Sequence, residues 1–508
     1  MDKQGGRQAS RRRALALLLA CSALAVPAPG TAQSVYPSSR GSDREAGLAP
    51  GGQMSGPATL AAPGNMQSIV GDPLDPGETT GSIDPRTVGD PPLLSDTSAN
   101  TTPVNDPPYA EDLNQFSDLP LDPGAEGIDA GEAPVLPGDP TGVRLGTFML
   151  RPSISQSINR ETIRSDGTKT TRDYLGTTIR GTLNSDWSRH ELSVAGEGTL
   201  ERDIGGRGET EPAARIDANL RLDLADETIA NITGGYTFER EDNDDPNAVG
   251  GATAQSGVHQ FDSGVTVERD AGLIRGLAGL GVSREIYTDA KLEDGSKLSL
   301  SERDRTTVDG RLRLGYELSP ALIPFVEVGG GRTFYDETRD SAGYERSSWT
   351  YAARAGVEFD LSEKLRGELA AGYERVDYDD GRLDALDALT FDGRTTWSPQ
   401  RGTDVELALR TTLQDSTAPG ASGWVEYDLV ATLAHQMRHN LVGRLTGGAT
   451  LRDFPDADNE TVWVAGTGLT WNINRYLDLT GDVEYERNKR TGGDTDTFRA
   501  GLGLTLRK

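Results

Sequence analysis

Nine arginines, Arg180, Arg221, Arg311, Arg313, Arg354, Arg394, Arg410, Arg444 and Arg499, stand on the polar side of alternating apolar–polar runs, mostly near mid-run. Asp217, Asp309, Glu358, Asp392, Glu406, Asp428 and Asp482 share those polar sides. A guanidinium presents a rigid fork of donors that matches a carboxylate, so two chemistries are open. One is a cross-strand ion-pair lattice that stiffens a β wall. The other is a charged zone that discriminates between solutes, as rings of charged side chains do in pores.

Other chemistry is sparse. The four histidines are His190, His259, His435 and His439. The first and the last two fall beside short turns, His259 opens a strand after a long loop, and no Ser/His/Asp arrangement accompanies them. They read as solvated turn residues, and no catalytic residue is assigned. The acidic stretches Glu241–Asp245 and "DFPDADNE" lack the spacing of an EF-hand. A hydrated, repulsive surface is the expectation there, with no metal site. "VGGGRTF" and "GLAGLGVS" are glycine-rich but no helix follows, so they read as kinks or close-approach positions within strands rather than phosphate loops. No cofactor is expected.

The elements that must carry these side chains are strands. Ile216, Ala218, Leu220, Leu222 and Leu224 alternate with Arg215, Asp217, Asn219, Arg221 and Asp223. Period-two alternation puts the apolar set on one face and the polar set on the other. The pattern recurs through Val308–Leu318, Trp349–Leu361, Val405–Leu413, Val425–Leu433 and Phe498–Leu506, giving about 18 strands of roughly 11 to 16 residues. Soluble strands average about five or six residues. Tight connections at Ala225–Thr228, Ser319–Ala321, Ser362–Lys364, Ser398–Arg401, Arg438–Asn440 and Asn474–Tyr476 alternate with long charged loops. The predicted fold is therefore all-β: an up-and-down antiparallel transmembrane β-barrel whose apolar face meets lipid. Aromatics near strand ends form two belts, Tyr236, Phe238, Trp349, Tyr351, Tyr373, Trp463, Tyr485 and Phe498 towards the long loops, Tyr316, Phe359, Trp397 and Trp471 towards the short turns.

The 508-residue chain begins differently. Arg11–Arg13 and the apolar run Ala14–Val26 read as a secretory signal peptide over 1–32, cleaved after Ala32, with lipidation of the single cysteine, Cys21, as the alternative. Residues 33–140 hold 17 of the 27 prolines and carry 17 acidic against three basic residues. Such a composition cannot bury enough apolar area to offset ordering, so it is expected to be a disordered periplasmic tether. Residues 141–508 are the barrel. The formal net charge of −28 argues against nucleic acid as a partner.

Signal peptide, Pro/Asp-rich leader and long alternating strands running to the last residue together resemble the putative β-barrel porin 2 family over roughly Val143–Lys508. The resemblance implies insertion in a bacterial outer membrane, with outer-membrane lipid and the barrel assembly machinery as partners, and for some relatives an association with polysaccharide. One departure is the ending Leu504-Thr505-Leu506-Arg507-Lys508, where outer-membrane strands usually place a terminal aromatic; Phe498 and Leu506 are the candidates to replace it. The expected function is a channel or export conduit for small polar solutes or polysaccharide, and not an enzyme. The alternative is a plugged anchoring barrel whose acidic tail binds a periplasmic partner.

Overall fold

The computed structural model describes residues 142–508, except 166, 205–210, 225–226, 244, 362–363, 419 and 456. The expected signal peptide over 1–32 and the expected tether over 33–140 therefore lie outside the described residues.

The chain enters through a short strand, β1 (Val143–Leu145), followed by β2 (Phe148–Ser165), β3 (Thr168–Ser185), β4 (His190–Asp203), β5 (Glu211–Asp223) and β6 (Thr228–Arg240). A loop strand, β7 (Ala252–Ala254), precedes β8 (Gly257–Ala271) and β9 (Ile274–Tyr287). Two more loop strands, β10 (Ala290–Leu292) and β11 (Lys297–Leu298), lead to β12 (Arg305–Tyr316), β13 (Leu322–Tyr335), β14 (Ser348–Asp360), β15 (Leu365–Tyr378) and β16 (Leu386–Gln400). The series ends with β17 (Thr403–Asp415), β18 (Gly423–Arg438), β19 (Leu441–Asp453), β20 (Glu460–Asn474), β21 (Leu477–Lys489) and β22 (Thr495–Arg507).

The eighteen long strands pair in sequence order, each antiparallel to the next. Closure comes from β22, which pairs with β2 from Ser153↔Arg507 to Ser165↔Thr495. A closed ladder leaves no edge of unpaired N–H and C=O groups, which is the condition for a sheet to stand in hydrocarbon. Among the described residues no helix is long and apolar enough to cross a membrane; strands do the spanning.

Alternation decides which face is which. On β12, Leu312 and Leu314 are each 59% exposed, whereas Arg311 and Arg313 are 3% and 6% exposed. The expected belts are present: Trp349, Tyr351, Tyr373, Trp463, Tyr485 and Phe498 are exposed at one rim, Tyr316, Trp397 and Trp471 at the other. Phe359, expected in the second belt, is instead buried. Connections 186–189, 224–227, 272–273, 317–321, 361–364, 401–402, 439–440 and 475–476 and both ends of the described chain share one rim; loops 241–256, 288–304 and 336–347, with the short β2–β3 connection, share the other. At that rim β7, β10 and β11 form a small sheet of their own, over a cluster of Val258, Tyr287, Ala290 and Leu300 with Val249 packed against it.

Candidate functional site: the charged interior and its cap

Arg313 shows which way the polar face points. Its Nε donates to Glu327 at 2.8 Å, its Nη1 to Glu358 at 3.0 Å and to Glu368 at 2.8 Å. Glu368 lies on β15, three strands from β12, which is roughly 14 Å along the wall. Side chains close such a gap only from the concave side, so the charged face is the interior. Glu327 is the hub: Arg311 lies at 3.6 Å and Arg354 at 3.4 Å from its carboxylate. The Arg313 guanidinium sits 3.9 Å above the centre of the Phe325 ring, a cation–π contact on a desolvated surface. Gly356 makes room for that ring, because a Cβ there would stand 2.4 Å from Phe325. Gly279 likewise lets Arg311 lie flat, a Cβ there being 3.3 Å from the Arg311 side chain.

Similar clusters continue round the wall. Arg499 donates to Glu161 at 2.7 Å, to Glu484 at 2.9 Å and to Glu486 at 3.3 Å. Arg452 donates to Glu426 at 2.8 Å. Arg172 joins Glu201, Glu211 and Asp203. Arg313, Arg499 and Arg172 each hold three carboxylates, the arrangement that makes burial of charge tolerable.

At the long-loop rim a second network crosses the interior. Asp415, at the end of β17, accepts hydrogen bonds from Arg305 at 3.2 Å, Tyr335 at 3.1 Å and Tyr378 at 2.7 Å. Arg305 is on β12, five strand spacings away, roughly 24 Å along the wall; the pair therefore spans the opening as a chord. Loop 241–256 goes further. Asn247 donates to the Asp415 carbonyl at 3.0 Å and accepts from the Thr417 N–H at 2.8 Å. That contact joins a loop rooted on β6 to strand β17, eight spacings away in an eighteen-strand wall. Arg303 ties the crossing down, donating to Glu241 at 3.1 Å, to the Asn247 carbonyl at 3.0 Å and to Thr417 at 3.2 Å. From loop 336–347, Arg346 donates to the Ser416 carbonyl and, at 2.9 Å, to that of Ala418. Four loops are thus stitched together across one mouth. Burial pushes the Glu241 carboxyl up to about 7 although Arg303 opposes the shift, and burial raises Asp245 as well, against the pull of Arg452.

The model of the family described as "Putative beta-barrel porin 2" matches residues 136–508. The chain belongs to that family. Its barrel is accordingly an outer-membrane one of porin type. No curated protein matches the chain. Among solved structures, similarity extends to the Pseudomonas aeruginosa outer membrane protein opdK, with 11% identity and TM-score 0.37 over 71% of this chain and 99% of that one. It extends also to P. aeruginosa OccK11 (OpdR), with 13% identity and TM-score 0.37 over 71% and 96%, and to P. aeruginosa OccK2 (OpdF) in complex with glucuronate, with 10% identity and TM-score 0.38 over 70% and 98%.

In this porin-family barrel the nine arginines are distributed unevenly. Arg311, Arg313, Arg354 and Arg499 are buried, and the first three converge on Glu327. Arg354 also reaches Asp392 at 3.0 Å. Arg180 pairs with Glu197 at 3.0 Å, Arg221 with Asp223 on its own strand at 3.0 Å, and Arg394 with Glu406 at 3.8 Å. Arg410 and Arg444 are half-buried and also have partners. Of the acidic residues expected on those faces, Asp217, Glu358, Asp392 and Glu406 hold arginines. Sequence reasoning missed Glu327, Glu368, Arg305, Arg452 and Asp415. Glu327 is the instructive miss, since it sits in "PFVEVGGG" with no neighbouring charge.

Two expectations need correction. Glu241 and Asp245 do not form a hydrated surface; they are 3% and 8% exposed, because loop 241–256 turns inward and meets Arg303. The histidines are not all solvated either. His259 shares a hydrogen bond with Tyr236 at 3.0 Å, and His435 one with Thr403 at 2.7 Å. His259 lies at the long-loop rim and the other three at the opposite one, so they cannot act as one site.

Proposed function

We propose that the barrel is a passive channel for small polar solutes, with the stitched loops as its narrowest level and the interior ion-pair lattice as its selective wall. The observation that carries this reading is the division of faces: aliphatic and aromatic side chains outside, arginine, carboxylate and threonine inside. Long loops face the exterior of the cell, and the short turns, the tether and Lys508 face the periplasm. In the lattice, fixed charges of both signs line the path, so discrimination by solute charge rather than by a shaped ligand pocket is the expected behaviour. No catalytic group is needed for it.

The stitching at Asp415 favours a second reading, a plugged barrel that anchors a periplasmic or polysaccharide partner through its acidic tail. Liposome swelling separates the two. A channel gives swelling rates that fall with solute size and differ between neutral, anionic and cationic solutes of one size. A folded barrel that admits none of them is the anchor.

A further inference from the structure

One joint in the wall is built differently from the rest. Strands β15 and β16 pair from Leu365↔Trp397 to Val376↔Leu386, and β17 and β18 pair as far as Asp415↔Gly423. Between them, β16 and β17 pair only from Gly393↔Leu409 to Gln400↔Thr403. Residues 386–392 and 410–415 thus run side by side through the long-loop half of the wall without a backbone ladder joining them.

Side chains take its place. The Phe391 N–H donates to Thr411 Oγ1 at 2.8 Å, and that hydroxyl donates to the Phe391 carbonyl at 3.0 Å. Tyr427, on β18, reaches across β17 and donates to the Leu389 carbonyl at 3.2 Å. In hydrocarbon an unsatisfied backbone group costs several kcal/mol, so these few bonds hold the joint closed where a ladder would hold far more firmly.

Behind the joint the chemistry of the interior changes. Val376, Leu386, Ala388, Leu413 and Val425 form a buried apolar cluster, with Tyr378 and Tyr427 packed against it. Val376, Leu386 and Ala388 stand on the same faces as Glu374, Thr390 and Asp392, which is the interior. Leu413 belongs by alternation with Leu407, which is exposed on the lipid side, yet it is buried. The upper part of β17 has rolled inward, carrying its lipid-side residue into the cluster. Outside, Leu389 is exposed next to the joint. Below the cluster, on the same inner faces, stand Arg354, Arg410 and Asp392.

We propose that the β16–β17 joint is a lateral gate through which a single-chain amphiphile with an anionic head passes between the barrel interior and the surrounding leaflet. Its tail takes the place of the apolar cluster, and its head meets the arginines below. The proposal goes beyond an axial channel and stands whether or not the mouth conducts.

The test uses the full chain reconstituted in lipid vesicles, with a photoreactive diazirine fatty acid as probe. Cys21, the sole cysteine, is replaced by Ser, and Leu389→Cys with Tyr427→Cys gives a pair spanning the joint. A short bis-methanethiosulfonate locks it after folding, and a reductant releases the same molecules. Val328→Cys with Ala353→Cys, partners across an intact ladder, is the control lock. The gate predicts photolabelling at Leu386, Leu413 or Val425 that falls at least five-fold when the joint is locked and returns on reduction, and that the control lock leaves unchanged. Equal labelling with the joint locked means entry through the mouth and overturns the gate. Labelling confined to outer-surface residues, with none in the cluster, overturns it too, leaving the joint a structural irregularity.

Discussion

At the scale of single residues, the interior is organised by a few carboxylates that each hold several arginines. Removing one partner of a buried charge pair costs about 3–5 kcal/mol, because the remaining charge is left uncompensated. Glu327→Leu is therefore expected to destabilise the folded barrel by about that amount, measured by urea unfolding in lipid vesicles. Arg394→Leu, whose partner Glu406 is 3.8 Å away and which is one-third exposed, should cost less than about 1 kcal/mol. Comparable losses for the two would show that the Glu327 cluster is no hub. The loop carboxylates give a pH dependence. Closed, Glu241 holds its proton up to about 7; released into water it titrates in the ordinary range near about 4.3. The closed cap thus binds the proton more tightly, its advantage is complete below the released value, and it is lost as pH rises through about 7. Asp245 shifts in the same direction. Closed dwell times in single-channel records should be longer at acidic than at alkaline pH, and Glu241→Gln should flatten the dependence. Longer closures at alkaline pH would run against the sign of both shifts.

At the scale of elements, strands were legible and loops were not. Alternation fixes which face of β12 meets lipid, since Val308, Leu312, Leu314 and Tyr316 all proved exposed. Leu312→Arg should accordingly cost about 2–4 kcal/mol near mid-bilayer, read by refolding yield and heat-modifiability, whereas Thr307→Arg on the inner face should insert. Equal damage from both would mean the faces are misassigned. Alternation says nothing of where a loop goes once it leaves the wall. Loop 241–256 reads as polar, and polar loops ordinarily stay on the surface; it crosses the mouth because Arg303, Asn247 and Thr417, far apart in sequence, meet there. The missing ladder between β16 and β17 was equally hidden. Leu413 alternates as an outward residue would, and only the inward roll of β17 places it inside.

At the scale of the whole molecule, strand number, closure and the inner charge were all recoverable from sequence, because lipid permits only a closed sheet and the pattern repeats in every hairpin. What the interior does depends on contacts between strands half a circumference apart, which no local pattern encodes. The acidic segment 33–140 belongs to this scale too. We propose that this segment, with 17 acidic against three basic residues, stays near the periplasmic mouth at high effective concentration. Deleting Gln33–Pro137 while keeping residues 1–32 should raise conductance or abolish closures seen only at low salt, where screening is weak; unchanged behaviour at both salt levels makes the segment a spacer. The central claim, a polar path narrowed by loops that meet at Asp415, is tested most directly by single-channel recording of the purified full chain beside Asp415→Ala. The account predicts stepwise openings in both, with larger unit conductance in the variant. A correctly folded barrel that stays silent in both forms would contradict it.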